Sequence, residues 1–247
     1  MIKEAKNYLA QQSANFKKER NFKRQLRSFQ EKDQKKRLCI PEADLYRCLN
    51  DNTGVTYFDA HYIYHPAWAA RVIRRNNPAK HIDISSTLHF CTLLSAFIPT
   101  EFYDFRPAKL NLDNLSSGSA DLTNLFFASN SVESISCMHT IEHIGLGRYG
   151  DPIDPEGDVK AIQELQRVTA KGGSLFLVTP VGRPRIQFNA HRIYSYEMIL
   201  DLFAGFELEE FSLIKDDNEF VREADPELVK EQSYGCGCFY FRKNDTE

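Results

Sequence analysis

The spacing of apolar positions changes twice along this chain. In residues 1–37, Ile2, Leu9 and Phe16 recur at intervals of seven, and Phe22, Leu26 and Phe29 follow at i, i+4 and i+7. No Gly or Pro interrupts this stretch, and Lys, Gln, Glu, Arg and Ala fill most of it, so the pattern predicts a helical extension with a thin apolar stripe. Residues 38–80 differ. The string TYFDAHYIYHPAWAARVIRRNNP is dense in aromatics and holds the single tryptophan, Trp68. It reads as helical lead-in to a first strand. From residue 81 to residue 247, short apolar runs alternate with amphipathic ones.

KHIDISS predicts a short strand ending in small residues. A helix near residues 90–97 and strands near 101–105 and 134–138 follow. A charged amphipathic helix is expected over 158–169, with Ile162, Leu165 and Val168 on one face. KGGSLFLVTPVG predicts a turn and a fully buried strand. A helix then begins at Ser195, a natural N-cap, and stops at Gly205. GFELEEFSLI and CGCFYFRK read as two last strands with no strong helix between them, hence an antiparallel pair. Alternating β and α segments predict an α/β fold: a Rossmann-like, mostly parallel sheet covered on both faces, with an antiparallel last strand.

Charge sharpens this division. Residues 1–37 hold 12 Lys and Arg against 4 Asp and Glu, whereas the rest holds 19 against 30. An acidic body with a basic arm is not a nucleic-acid-binding body. The arm reads first as a solvated helix packing on the body or on a second subunit. An apolar stripe on a basic helix also suits an anionic membrane surface. No apolar run approaches the ~18 residues of a membrane span, and the N-terminus lacks a signal-peptide core, so a cytoplasmic protein is expected. The six cysteines read as reduced thiols. Cys236 and Cys238 are too close for an ordinary disulfide, and no second pair completes a zinc site, so no metal is expected.

In an open α/β sheet, ligands gather at the carboxyl ends of the strands. The first such end presents Asp83, Ser85, Ser86 and Thr87. Asp104 comes 21 residues after Asp83. An acid at that distance is where a ribose diol is held, because one carboxylate can accept from both hydroxyls. The next loop offers Asp121 and Leu122.

DLTNLFFASNSVESISCMHTIEHI, AIQELQRVTAKGGSLFLVTP and HRIYSYEMILDLFAGFELEEF resemble successive segments of the class I S-adenosylmethionine-dependent methyltransferases. YIYHPAWAA, HIDISS, GLGRYGDPIDPEGD and FNAHRIYS resemble more closely a methyltransferase-like group catalogued as a domain of unknown function. The resemblance implies S-adenosylmethionine as cofactor. Asp83, Ser85, Ser86 and Thr87 would then border its methionine part. Asp104 would hold the ribose, Asp121 with Leu122 the adenine, and His139 would sit near the cofactor. The chain departs from the pattern at the first turn, where Ser85-Ser86-Thr87 replaces a glycine-rich sequence that lets the cofactor approach the backbone.

His139-Thr-Ile-Glu142-His143 matches the H-x-x-E-H of one zinc protease group, but it follows a strand and meets Gly145 and Gly147 at once. In the methyltransferase reading, Glu142 and His143 border the substrate, and His143 is a suitable general base. His191 is its alternate. Arg148 and Tyr149, then Asn189, Arg192 and Tyr194, are candidates to grip a polar substrate, with Arg183 and Arg185 nearby. The expected reaction is methyl transfer to a small polar acceptor, such as a hydroxyl of a sugar or phosphorylated glycan precursor. The rival reading is a binding or scaffold protein that kept the fold and lost catalysis.

Overall fold

The computed structural model describes residues 2–245. Met1, Thr246 and Glu247, the outer ends of the expected extension and body, lie outside the described residues, as do the side chains of 2–5, Ile2 of the apolar stripe among them. The chain divides into two compact units, residues 1–57 and 58–247. The division falls between Tyr57 and Phe58, close to Asp59, whose side chain caps the next helix by accepting from Tyr62 N.

The first unit is built on α1 (Ile2–Lys32). Leu9, Phe16 and Phe29 are exposed along it, and Phe22 and Leu26 are half-buried. A 3-10 turn at Glu42–Asp44 precedes a segment that returns to α1. There Lys18 Nζ donates to Asn50 Oδ1 at 2.7 Å, and Glu19 pairs with Arg47 at 3.8 Å. Among the described residues, no helix is long and apolar enough to cross a membrane.

The second unit contains α2 (Ala60–Asn76), β1 (His81–Ile84), α3 (Leu88–Leu94), β2 (Thr100–Asp104), β3 (Leu115–Ser119), β4 (Val132–Met138), α4 (Gly157–Val168) and β5 (Thr169–Val181). Then come β6 (Arg185–Gln187), β7 (His191–Ile193), α5 (Tyr196–Leu202), β8 (Phe206–Ile214), β9 (Phe220–Val221) and β10 (Gly235–Lys243). The main sheet runs β3-β2-β1-β4-β5-β10-β8-β9, and β6 pairs with β7 as a separate ribbon. β1 to β5 run parallel to one another, and β10 is antiparallel to both β5 and β8.

Period-two alternation assigns each strand residue to one of two cores. Leu175, Leu177, Phe239 and Phe241 face α4 and α5, where Ile162, Leu165, Ile199 and Phe203 meet them. Phe176, Val178, Cys238 and Tyr240 face α2 and α3, under Trp68, Val72, Ile73, Phe90 and Leu94. A strand buried on both faces reads as a continuous apolar run, which is why β5 is evident from its sequence. Thr87 and Ser195 cap α3 and α5, accepting from Phe90 N and Met198 N, each at 3.2 Å.

Two features differ from the sequence reading. β3, with the sequence LSSGS, lies at the sheet edge and is mostly half-buried or exposed, so it needs no apolar alternation. The last pair is antiparallel, but β9 and a 3-10 turn at Pro226–Glu231 separate its strands in sequence. β10, the antiparallel last strand, enters between β5 and β8.

Candidate functional site

A cavity of about 450 Å³ lies at the carboxyl ends of the parallel strands, with Ser85, Asp104, Asp121, His139, His143 and Tyr149 in its wall. That is the place the topology reserves for ligands, at the size of a small-molecule site.

The turn after β1 is held from both sides. Ser85 N donates to Tyr103 O at 2.7 Å, Met138 N donates to Ser86 Oγ at 3.2 Å, and Thr140 Oγ1 donates to Ser85 O at 3.1 Å. Ser85 has φ 55°, the left-handed conformation that glycine adopts freely. A side chain there costs roughly 1–2 kcal/mol. The turn thus keeps the glycine-like backbone shape without the glycine.

Of the four turn residues expected at the cofactor, only Ser85 lines the cavity. Asp83 and Ser86 are buried behind it, and Thr87 is committed to capping α3. Asp83 is wholly buried, with Ser136 donating to one carboxylate oxygen and, among the described residues, no hydrogen-bond partner for the other. Burial pushes its carboxyl up to about 7, against the pull of hydrogen bonds from Ser136 and Ser86. His81, its ring between Ser134 Oγ and Ser136 Oγ at 2.8 and 2.9 Å, is driven by burial to about 3 and is neutral.

Asp104 ends β2 and Asp121 follows β3, and both reach the cavity wall. Asp104 Oδ1 accepts from Arg106 N at 2.7 Å. Asp121 Oδ1 accepts from Thr123 N and Oγ1 at 2.8 and 2.7 Å. Each carboxylate is therefore oriented by its own loop. Leu122 supplies apolar wall beside Asp121.

The segment GLGRYGDPIDPEGD is a built loop. Asp151 accepts from the N–H groups of Gly145, Tyr149 and Gly147 at 2.8, 3.1 and 3.2 Å. Burial alone would raise its carboxyl, but these donors hold it below the ordinary value. Gly145 has φ 79°, and a Cβ there would lie 2.0 Å from Asp154 O. Tyr149 stands between the guanidinium groups of Arg106 and Arg148, 4.9 and 5.0 Å from its ring centre.

Arg192 and Tyr194, expected to touch substrate, are buried beneath this loop instead. Arg192 Nη1 donates to Ile144 O at 2.7 Å and Nη2 to Pro155 O at 3.2 Å, while its Nε lies 3.4 Å from Asp158. Tyr194 OH donates to Asp158 Oδ2 at 2.9 Å. Their donors are spent on holding the loop. Asn189 is exposed in the β6–β7 turn, and Arg185 is tied to Arg183 O and Ser233 O.

Beyond β4 the chain turns sharply at His139, φ 54°, into a 3-10 turn at Ile141–His143. Glu142 is wholly buried and reaches no cavity surface. It accepts from His139 Nδ1 at 2.9 Å and lies 3.8 Å from His143 Nε2, so it acts on a ligand only through the two imidazoles. His143 Nδ1 donates to Ala190 O at 2.6 Å, which leaves Nε2 with the lone pair. His191 bonds Gln187 Oε1 at 2.6 Å, with its ring 6.3 Å from that of His143, and burial lowers its basicity. The H-x-x-E-H string is not on a helix of two turns, so the metalloprotease geometry is absent.

Four residues outside the sequence assignment crowd His139, among them the buried His65 of α2, its ring 5.1 Å away. His61, on the first turn of α2, stacks on it at 5.6 Å and on Tyr234 at 5.4 Å. Tyr62 stacks on His139 at 5.4 Å, and Cys236 Sγ lies 3.3 Å from its Nε2. Burial, then the neighbouring His139, lowers His61 to about 4. No local spacing announces this group, because its members come from α2, the end of β4 and β10. The aromatic density of YIYHPAW was the one available signal.

Residues 115–232 match the family model described as "Caenorhabditis protein of unknown function, DUF268". No curated protein matches the chain by sequence. Solved structures do match in fold. The MccD protein aligns over 74% of this chain and 97% of its own, with 15% identity and a TM-score of 0.54. The 1,6-didemethyltoxoflavin-N1-methyltransferase of Burkholderia thailandensis, solved with 1,6-didemethyltoxoflavin and S-adenosylhomocysteine bound, aligns over 74% and 79%, with 9% identity and a TM-score of 0.52. The (4+2)-cyclase SpnF aligns over 73% and 81%, with 14% identity and a TM-score of 0.50. The chain has the class I methyltransferase fold. The cyclase among its neighbours is a reminder that fold alone does not decide the reaction.

Proposed function

We propose that this protein binds S-adenosylmethionine and transfers its methyl group to a small polar acceptor. The observation that carries this reading is the cavity with a carboxylate at the end of each of two successive strands, Asp104 and Asp121. Asp104 would accept from the ribose hydroxyls and Asp121 from the adenine amino group, while the main chain at Ser85 would take the methionine portion. S-adenosylmethionine, when bound, supplies a methyl group on a sulfonium whose sulfur keeps the bonding electron pair as the group leaves.

The protein's task is alignment and removal of one proton. His143 suits the second part. Its Nδ1–H is committed to Ala190 O, its Nε2 is free to accept, and the buried Glu142 carboxylate lies beside that nitrogen to stabilise the imidazolium. Tyr149, between Arg106 and Arg148, supports a polar acceptor entering over the loop, and a hydroxyl of a sugar or phosphorylated glycan precursor is the acceptor we favour. On α1, exposed Leu9, Phe16 and Phe29 on a basic helix support contact with an anionic membrane surface or a second copy.

Titration calorimetry with S-adenosylhomocysteine tests the reading. The parent protein is expected to bind, and Asp104→Ala to bind about tenfold or more weakly, as expected when hydrogen bonds to a charged group are lost. Equal affinity in the two proteins would remove Asp104 from the site. The left-handed Ser85 in place of glycine favours one alternative, a scaffold that has lost the cofactor. A folded parent protein that does not bind would decide for it.

A further inference from the structure

We propose that His61, His139 and Cys236 form the binding site of one zinc-class divalent cation beside the cavity. The two imidazole nitrogens and the thiol sulfur all lie within 4.8 Å of one another. Cys236 Sγ and His139 Nε2, 3.3 Å apart, already have the separation of two ligands on one tetrahedral zinc, given bond lengths of about 2.0–2.3 Å. Bringing in the third nitrogen requires a side-chain adjustment of about an ångström on those same bond lengths. Nitrogen with soft sulfur is the donor set that selects zinc over magnesium or calcium.

The surroundings support a cation independently of the three ligands. His139 Nδ1 is held by Glu142 Oε1, the carboxylate-histidine arrangement that fixes the tautomer and aims the other ring nitrogen at a metal. Glu142 is wholly buried, and its Oε2 has no hydrogen-bond partner among the described residues. Among the described residues its ion-pair partners are only His139 and His143. A buried carboxylate so poorly compensated is costly. A dication one imidazole away would offset that cost. On binding, the Cys236 S–H bond breaks, the sulfur–metal bond forms with the thiolate pair, and the proton leaves to solvent, with no change of oxidation state. Three protein ligands leave a fourth position for water, the pattern of open zinc sites. His139 also lines the cavity, so that water would adjoin it.

The site stands apart from the methyl-transfer reading and is tested without it. The full chain is loaded with zinc, freed of loose metal on a desalting column and assayed by plasma mass spectrometry, and a second sample is titrated with cobalt(II). One zinc per chain and a thiolate-to-cobalt charge-transfer band are expected. Cys236→Ser should abolish the band, and His61→Ala should weaken zinc binding. Glu142→Gln, which keeps the shape of the side chain, should weaken it about 10–100-fold. Cys39→Ser, which removes an exposed thiol of the first unit, should retain both signals. If Cys236→Ser does not fold, as judged by near-ultraviolet dichroism, the half-buried His61 carries the test. Substoichiometric zinc with no cobalt band in the parent would overturn the proposal. So would zinc affinity that is unchanged in His61→Ala.

Discussion

His139 stands between two regions built on different principles. On one side is the cavity, walled by Asp104, Asp121 and the loop from Gly145 to Asp154, whose shape depends on backbone N–H groups, left-handed residues and oriented carboxylates. On the other side α2 packs Trp68, Val72 and Ile73 against Phe176, Val178 and Tyr240, and brings His61 to Cys236. The first region is held by directional bonds and leaves open space. The second is held by burial and leaves almost none. A small-molecule site needs the first kind of construction, because it needs open space, whereas the second leaves room for no more than an ion between side chains already locked by packing.

The sharpest way to break the comparison is Gly145→Ala. The new Cβ would overlap Asp154 O, and the residue would keep an unfavourable φ. A loss of more than about 4 kcal/mol, or loss of soluble protein, is expected in a chemical melt. A small effect would mean that the loop is soft.

Asp83→Asn comes next, and it stabilises. Burial holds the folded carboxyl near 7 against an ordinary 3.8, so the folded state keeps this proton longer than the unfolded state does. Its contribution to stability is therefore best below pH 4, falls as pH rises from about 4 to about 7, and is level beyond. At pH 8 the amide should gain roughly 2–4 kcal/mol, and the slope across that window should flatten. An unchanged pH profile in thermal melts would show that Asp83 is not the group responsible.

On the packed side, Trp68→Phe keeps an aromatic ring but loses the bond from Nε1 to Glu210 Oε1. Arg75 still pairs with Glu210, so a loss of roughly 1–3 kcal/mol is expected. S-adenosylhomocysteine affinity should stay the same. A parallel fall in affinity would show that the two sides are coupled through His139. The smallest effect belongs to Ser85→Gly. Relief of the left-handed strain outweighs the added freedom of the unfolded chain, for a net gain below about 1 kcal/mol in melting experiments. A net loss would mean that the serine hydroxyl, 3.4 Å from Tyr103 O, supports the turn.

The same contrast explains what could be read from the sequence. β5 and β10 were visible as apolar runs because both their faces are covered. LSSGS was not, because an edge strand carries little core. Asp104 and Asp121 could be found by counting from strand ends, since the parallel sheet converts chain spacing into position. Arg192 and Tyr194 illustrate the limit. Composition shows that donors are present near a strand end, but only packing shows that they turn under the loop toward Ile144 O and Asp158. His61 and Cys236 lie farther still from sequence logic, since nothing local links the start of α2 to β10.

The placement of β10 between β5 and β8 bears on how the polypeptide is made. Until residues 235–243 emerge from the ribosome, β5 and β8 have no partner for their facing edges, and the nascent sheet exposes two open rows of backbone donors and acceptors. The body can close only as its last strand is delivered, a long-range pairing that pays its chain-closure entropy before any reward arrives. Synthesis of this fold thus passes through a late, sticky interval in which a chaperone able to shield strand edges would have the most to protect.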